Sequence, residues 1–129
     1  MTKLKDISEF LAKEFPQSPC SVDAIGPQSA TVRYRVDARA LRPGGTVSGP
    51  SIFALADVSA YLMTLARIGP KALAVTTNCS IDFMRKPAAG VDLLAEARLL
   101  KLGRVLAVAD VLLRSEGQEA PVARASLTY

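Results

Sequence analysis

The stretch RPGGTVSGPSIFALADVSAYLMTLARIG, residues 42–69, decides the fold of this chain because it joins a glycine-rich loop to a long apolar run. Pro50 suits the first turn of a helix, where its missing N–H is not needed, and Gly49 before it can act as a cap. From Pro50 to Arg67 the run is apolar nearly all round, which predicts a helix that is buried on every side. At 1.5 Å per residue this helix would be about 27 Å long, enough to cross a small domain.

One ionisable group, Asp57, lies near the middle of this predicted helix. A buried carboxylate is unfavourable unless it is paired or used in chemistry. From the residues alone, two explanations stay open. Asp57 is either a structural carboxylate, which caps a loop or pairs with an arginine such as Arg42 across a subunit contact, or a group that takes part in catalysis. A membrane span is not expected, because the run is interrupted and a carboxylate at the centre of a bilayer is costly.

The segments around this run predict one further helix and five strands. Apolar residues recur at helical spacing over residues 1–15, which predicts a short amphipathic helix. Alternation of apolar and polar residues predicts strands over 29–38, 73–84, 91–100, 105–114 and 122–129. The breaks between the last four strands, KPAAG, KLG and SEGQE, are short and contain glycine, so we expect these neighbours to pair as antiparallel hairpins.

This order of elements indicates a single domain of the α+β class over residues 1–129. A chain of this length can bury most of its apolar surface in one core. One long helix accompanied by this much sheet is covered only if the sheet curls round it. The predicted architecture is therefore an antiparallel sheet wrapped around a long central helix, with a short helix at the N-terminus.

The composition narrows the classes of function. The net charge is +4 and the basic residues are scattered, which suits anionic small ligands as well as ordinary solubility. The chain has no histidine, and Cys20 and Cys79 stand in no metal-binding pattern, so no metal site is expected. Without a glycine-rich phosphate loop or an aromatic ladder, nucleotide hydrolysis and nucleic-acid binding are not expected either. The N-terminal residues lack a secretory pattern, which favours a cytoplasmic location.

Three segments carry a resemblance to a known family. They are SGPSIFALADVSAY (48–61), AVTTNCSIDFMRKPAAG (74–90) and LLKLGRVLAVADVLL (99–113). In this order and at this separation they resemble the acyl-CoA thioesterases of the phenylacetate-degradation type, which have the hotdog fold. The resemblance covers about residues 40–129. It implies hydrolysis of acyl-CoA to free coenzyme A and a carboxylic acid. No separate cofactor is implied, since coenzyme A is part of the substrate. The family also implies a homodimer, or a dimer of dimers, with sites shared between subunits.

The resemblance also implies roles for individual residues. Asp57 would attack the thioester carbonyl or draw a proton from the attacking water, and the two routes stay open. The amide of Gly49, at the start of the helix, would stabilise the oxyanion, although Gly49 can also be a plain loop glycine. Thr76 stands where related enzymes place a hydroxyl that holds the water, while Thr77 is expected to face the core. Ser48 occupies the position of the family's histidine and offers a hydroxyl, or simply caps the helix.

Four basic residues are expected to cluster at the ends of hairpins, where they would bind the phosphates of coenzyme A. They are Arg85, Lys86, Lys101 and Arg104. Guanidinium and ammonium groups suit phosphate through charge-assisted hydrogen bonds. The alternative is that they are solvated residues of ordinary turns.

The chain departs from the family pattern at three positions. Ser48 replaces the histidine, and Pro50 replaces the second glycine and so removes a backbone donor. Lys86 is an extra residue between Arg85 and Pro87. The first two departures favour the alternative function, a hotdog protein that binds acyl-CoA or a related ligand without hydrolysing it.

Overall fold

The computed structural model describes residues 4–15, 20–35, 41–42, 46–47, 49–68, 76–85, 87, 91–103 and 106–129. It contains two helices, α1 (Leu4–Glu14) and α2 (Gly49–Ile68). The strands are β1 (Cys20–Ile25), β2 (Ser29–Tyr34), β3 (Leu41–Arg42), β4 (Thr46–Val47), β5 (Asn78–Phe83), β6 (Leu93–Leu102), β7 (Ala107–Ser115) and β8 (Ala123–Thr128).

Six strands form one antiparallel sheet in the order β1-β2-β6-β7-β8-β5. The predicted hairpins β6–β7 and β7–β8 are confirmed. In the second of these turns Gly117 has a φ of 85°, a backbone conformation that glycine adopts more readily than other residues. Helix α2 packs against β1, β2, β6, β7 and β8, so the sheet covers it along most of its width. The α+β architecture with a central helix is therefore confirmed.

The predicted hairpin between β5 and β6 is wrong. Strand β5 lies at the edge of the sheet and pairs with β8, while β6 pairs with β2 and β7. Residues 84–92 connect β5 to β6, a longer connection than the KPAAG break suggested. Loops of two to five residues are typical of hairpins, whereas a longer connection allows the chain to cross to the other side of the sheet.

Three of the described strands, β1, β3 and β4, were not predicted. Strand β1 was missed, although the apolar Cys20, Val22 and Ala24 alternate with the polar Ser21 and Asp23. Its pairing with β2 shifts register between Val22 and Ala24. Strands β3 and β4 form a separate two-stranded sheet within the segment predicted as loop. They are too short for sequence alternation to reveal.

Helix α2 buries most of its surface but not all of it. Its inner face holds ten buried residues: Ile52, Leu55, Ala56, Ser59, Ala60, Leu62, Met63, Thr64, Leu65 and Ala66. The two buried hydroxyl groups donate hydrogen bonds to carbonyls one turn earlier, Ser59 to Leu55 (2.6 Å) and Thr64 to Ala60 (2.9 Å). Each is thus satisfied without a partner from outside the helix.

The prediction that α2 is buried on every side is wrong for the single chain. One stripe of the helix is exposed or half-buried, and we call it the open face of α2. It consists of Pro50, Phe53, Ala54, Asp57, Val58 and Tyr61. These positions recur every three to four residues, so they lie along one side of the helix. The sheet covers the opposite side and leaves this stripe accessible.

Helix α2 is also the one helix in the described ranges that is long and apolar enough to cross a membrane. Residues 49–67 have a mean hydropathy of 1.3, and 56% of this window is buried inside the fold. Burial against the sheet explains the apolar composition, as it does for core helices in general. Length and hydropathy are therefore weak evidence for a span here.

Candidate functional site

Asp57 lies on the open face of α2 and is half-buried. Two hydroxyl groups donate hydrogen bonds to the same carboxylate oxygen, Oδ1, that of Thr76 at 2.7 Å and that of Tyr129 at 2.7 Å. In the part of the chain that the structure describes, every hydrogen bond to this carboxylate ends on Oδ1. None of the described residues donates to the second oxygen, Oδ2, which can therefore contact water or a ligand. The side chain of Arg42, the alternative partner, lies outside the described residues.

Tyr129 holds Asp57 from the core side. The residue is 7% exposed, and its backbone exchanges two hydrogen bonds with Ala107 (2.8 and 3.0 Å) that extend the sheet beyond β8. The ring packs against Tyr61 with 6.1 Å between ring centres. Burial first, and then the hydrogen bond to Asp57, raise the pKa of Tyr129 far above its ordinary value of 10.0. The phenol therefore keeps its proton and acts as a donor.

Thr76 holds Asp57 from the exposed side. It lies two residues before β5. The residue between them, Thr77, continues the pairing of β5 with β8 through its amide, which donates to the Thr128 carbonyl (2.8 Å). The structure thus brings Thr76 to Asp57, as the resemblance implied. The expectation that Thr77 faces the core is wrong. Thr77 is exposed and its hydroxyl donates to the Thr128 carbonyl (3.2 Å), because this segment is the start of an edge strand.

Gly49 begins α2 and lies beside Phe83, the last residue of β5. A methyl group built on Gly49 would stand 3.6 Å from the Phe83 ring, an ordinary contact. Gly49 and Asp57 are eight residues apart on α2, which separates them by about 12 Å along the helix axis. The amide of Gly49 and the carboxylate of the same chain are therefore too far apart to act on one carbonyl group.

The basic residues do not form one patch within the chain. Lys101 of β6 lies in line with Asn78 at the start of β5, through the pairs Lys101–Val108, Val108–Thr128 and Thr128–Asn78. It is therefore at the end of the sheet where Thr76 and Asp57 lie. Arg85 follows Phe83 at the opposite end of β5. Both side chains are exposed. The expected clustering is thus wrong for these two residues, because β5 pairs with β8 and runs the length of the sheet between them.

Three of the predicted site residues, Ser48, Lys86 and Arg104, lie outside the described residues. Cys79 is half-buried and packs against the core. Burial, and to a smaller extent the charge of Asp57, raise the pKa of its thiol. No three His, Cys, Asp or Glu side chains within the described ranges are placed so that they could hold a metal ion.

Sequence reasoning missed Tyr129, although a signal for it exists. Side chains of β8 point alternately to the two faces of the sheet, and Ala123, Ala125 and Leu127 are on the buried face. Tyr129, two residues after Leu127, is therefore on the same face, towards α2. A buried tyrosine usually finds a partner for its hydroxyl. The one carboxylate of the central helix was the candidate partner. The two observations together could have predicted the pair.

The site and fold can now be compared with known proteins. A family model described as the thioesterase superfamily matches residues 44–122. The chain is 59% identical to a candidate thioesterase from a Silicibacter species, covering all of this chain and 91% of that one, with a TM-score of 0.93. It is 30% identical to a mutant of the phenylacetic acid degradation protein PaaI from Thermus thermophilus, covering 93% and 96% of the two chains, with a TM-score of 0.74.

A third structure, zebrafish thioesterase superfamily member 2, is 23% identical over 99% of this chain and 97% of its own, with a TM-score of 0.85. At that identity it shows the fold alone. No curated protein matches the chain in sequence.

An antiparallel sheet around a central helix that presents one carboxylate defines a protein of the hotdog class, as the resemblance implied. The chain belongs to the thioesterase superfamily, whose model matches more than half of its length. Membership supports hydrolysis of a thioester as the general activity.

Proposed function

We propose that this protein hydrolyses acyl-CoA thioesters to free coenzyme A and a carboxylic acid. The observation that carries the proposal is the carboxylate of Asp57 on the open face of α2, with Oδ1 held by hydroxyl groups and Oδ2 left to react. In the reaction water adds to the thioester carbonyl carbon, the C–S bond breaks, and the leaving thiolate receives a proton.

Asp57 has two possible routes in this reaction. It takes the proton of the attacking water, or it attacks the carbonyl itself and forms an anhydride that water then hydrolyses. In either route Thr76 is near enough to contribute, since its hydroxyl oxygen lies 2.7 Å from Oδ1 and retains a lone pair that can accept a hydrogen bond from water. Coenzyme A enters as part of the substrate, so the reaction requires no separate cofactor.

The distance between Gly49 and Asp57 supports a site shared by two subunits. The negative oxygen that forms in the transition state needs a donor within hydrogen-bond distance, and the Gly49 amide at a helix N-terminus is suited to that role. Because about 12 Å of helix separates Gly49 from Asp57, a Gly49 amide in this role would come from a second copy of the chain.

The surface of the single chain also supports a homodimer, or a dimer of dimers. Among the described strands, β5 forms one edge of the sheet and pairs only with β8, and unpaired edges tend to recruit another strand. Phe53 on the open face of α2 is 39% exposed, and Phe83 and Met84 at the end of β5 are 55% and 45% exposed. A second copy related by a two-fold axis would cover all three side chains.

The same two-fold axis would complete the site. Within one chain, Asp57, Thr76 and Lys101 lie at one end of β5, while Gly49 and Arg85 lie at the other. If β5 pairs with its antiparallel copy, Gly49 and Arg85 of one subunit come close to Asp57, Thr76 and Lys101 of the other. Arg85 and Lys101 would then stand on either side of one site, where they can bind the phosphates of coenzyme A.

The substitution of Asp57→Asn tests the proposed activity. We expect the wild type to release free coenzyme A from at least one member of a panel of aryl and aliphatic acyl-CoAs. We expect the variant to lose about a hundredfold or more in kcat, because the amide neither attacks nor accepts the proton. Release is followed by chromatography, which avoids thiol reagents that would react with Cys20 or Cys79.

Asp110→Asn is the matched control, because it removes the same charge as Asp57→Asn. Asp110 lies on the outer side of the central strand β7, away from the proposed site. Asp110→Asn should retain the activity of the wild type. The alternative function, binding without hydrolysis, is motivated by Ser48 in place of the histidine and by Pro50. A wild type that binds acyl-CoA in calorimetry but cleaves no member of the panel would establish that alternative and contradict the proposal.

A further inference from the structure

The hydroxyl group of Tyr129 contacts both the side chain and the main chain of Asp57. Its hydroxyl oxygen lies 2.7 Å from Oδ1 of Asp57 and 2.5 Å from the backbone carbonyl oxygen of the same residue. A phenol has one proton to donate, so the two acceptors of Asp57 share it. The side chain and the main chain of Asp57 are thereby tied to a single point.

We propose that Tyr129 is a positioning residue for the hydrolysis proposed above, on which this inference rests. Its hydroxyl fixes the Asp57 carboxylate in one rotamer and keeps Oδ1 occupied, so that Oδ2 is the oxygen that acts on water or on the thioester. Thr76 supports the same oxygen from the exposed side.

The rigidity of Tyr129 supports this role. The residue is buried, and it is held by the two backbone hydrogen bonds with Ala107 and by the packing of its ring against Tyr61. A buried ring of this kind has few alternative rotamers, so its hydroxyl holds the carboxylate of Asp57 on α2 in one position. Thr76, which is exposed, is held less firmly by its surroundings.

The charge state of the hydroxyl limits what it can do. Because burial and the nearby carboxylate raise the pKa of Tyr129, the phenol stays neutral at the pH at which proteins work. A neutral phenol cannot take a proton from water, which leaves donation to Asp57 as its chemical contribution. The neutral hydroxyl stabilises the carboxylate of Asp57 by a hydrogen bond. A cationic side chain in the same place would also bind Oδ2, the oxygen that has to react.

Tyr129→Phe tests the inference by removing one oxygen atom and keeping the ring. We expect kcat to fall about ten- to a hundredfold, the range that corresponds to a hydrogen bond with a charged group, while KM stays within about twofold. Tyr34→Phe is the matched control, because Tyr34 lies at the end of β2 and loses the same atom. It should keep the kcat of the wild type. A Tyr129→Phe enzyme with wild-type kcat would overturn the positioning role and leave the proposed function intact.

A second measurement does not depend on activity. The urea midpoints of unfolding are compared for the wild type, Tyr129→Phe, Asp57→Ala and the double variant. If the hydroxyl serves the carboxylate, Tyr129→Phe lowers the midpoint more in the wild-type background than in the Asp57→Ala background. Equal decreases in the two backgrounds would overturn the inference. A wild type inert towards every acyl-CoA would overturn the proposed function, and the positioning role with it, even where the urea experiment confirms the contact.

Discussion

At the scale of the residue, Asp57 shows how a chain can keep a carboxylate in an apolar helix. It is placed on the one stripe of α2 that the sheet does not cover, and two neutral hydroxyl groups meet one of its oxygens. Such an arrangement lowers the cost of burying the charge while leaving the other oxygen available. The sequence pointed to Asp57 and Thr76, because their spacing matches a family pattern. Tyr129 is 72 residues away along the chain and was found only in the structure.

Cys79 provides an independent probe of the charge on Asp57. Burial and the charge of Asp57 both raise the pKa of the Cys79 thiol, so less of the reactive thiolate is present at pH 8. Asp57→Asn removes the charge and leaves the burial. We therefore expect iodoacetamide to modify Cys79 faster in Asp57→Asn than in the wild type, because the thiolate is more populated once the charge is removed.

The rates are measured by mass spectrometry of the Cys79 peptide, in a Cys20→Ser background. Asp110→Asn serves as the control, since it removes a carboxylate from the outer side of the sheet and should leave the rate unchanged. Equal rates in the wild type and Asp57→Asn would show that the carboxylate does not act on the thiol.

At the scale of the element, the helix and the short hairpins could be predicted from the sequence, whereas the pairing of strands distant in the chain could not. The bounds of α2 follow from Gly49, Pro50 and the apolar run, and the structure places its end within one residue of the predicted one. Hairpins β6–β7 and β7–β8 follow from short turns. The partner of β5 does not, because edge position and crossover depend on which strands are already paired, and alternation within one strand carries no information about that.

The turn between β7 and β8 gives a prediction at this scale. Gly117 has a φ of 85° with no atom within 4 Å of the position of an added Cβ, so a substitution there changes backbone strain and not packing. Gly117→Ala should lower the free energy of unfolding by about 1 kcal/mol, because alanine is disfavoured at positive φ.

Gly117→Asn is the matched control, since asparagine tolerates this conformation better than alanine does. Urea unfolding followed by circular dichroism should rank the wild type first, Gly117→Asn second and Gly117→Ala last. A Gly117→Ala protein as stable as the wild type would mean that the turn relaxes to another conformation.

At the scale of the whole molecule, the single chain has features that a second copy would explain. The open face of α2, the edge of β5 and the exposed Phe83 adjoin one another around Gly49. Soluble proteins seldom leave a large contiguous apolar patch uncovered. We therefore expect sedimentation at micromolar concentration to show a dimer or a tetramer, and a monomer would contradict the proposed association.

Subunit complementation tests whether the site is shared. Asp57→Asn and Arg85→Ala homodimers are each expected to be impaired, and mixing them under conditions of subunit exchange should restore activity. One of the two sites of the mixed dimer then has an intact Asp57 from one subunit and an intact Arg85 from the other. At full exchange about a quarter of all sites would be restored, as expected for a symmetric two-fold dimer.

Thr76→Val replaces Arg85→Ala in the control mixture. Thr76 hydrogen-bonds Asp57 of its own chain, so a mixed dimer of Asp57→Asn and Thr76→Val has no intact site and should gain nothing. Recovery in the control, or none with Arg85→Ala, would contradict the shared site.

Local patterns were enough to establish the central helix, the α+β class, the family resemblance and Asp57 as the residue to explain. Each depends on residues close together in the chain, where helical or strand periodicity and motif spacing constrain one another. The tertiary structure decided the partner of β5, the open face of α2, the separation of Arg85 from Lys101 and the contact of Tyr129 with Asp57. These depend on which distant segments meet when the sheet closes on the helix, and the packing of the whole chain determines that.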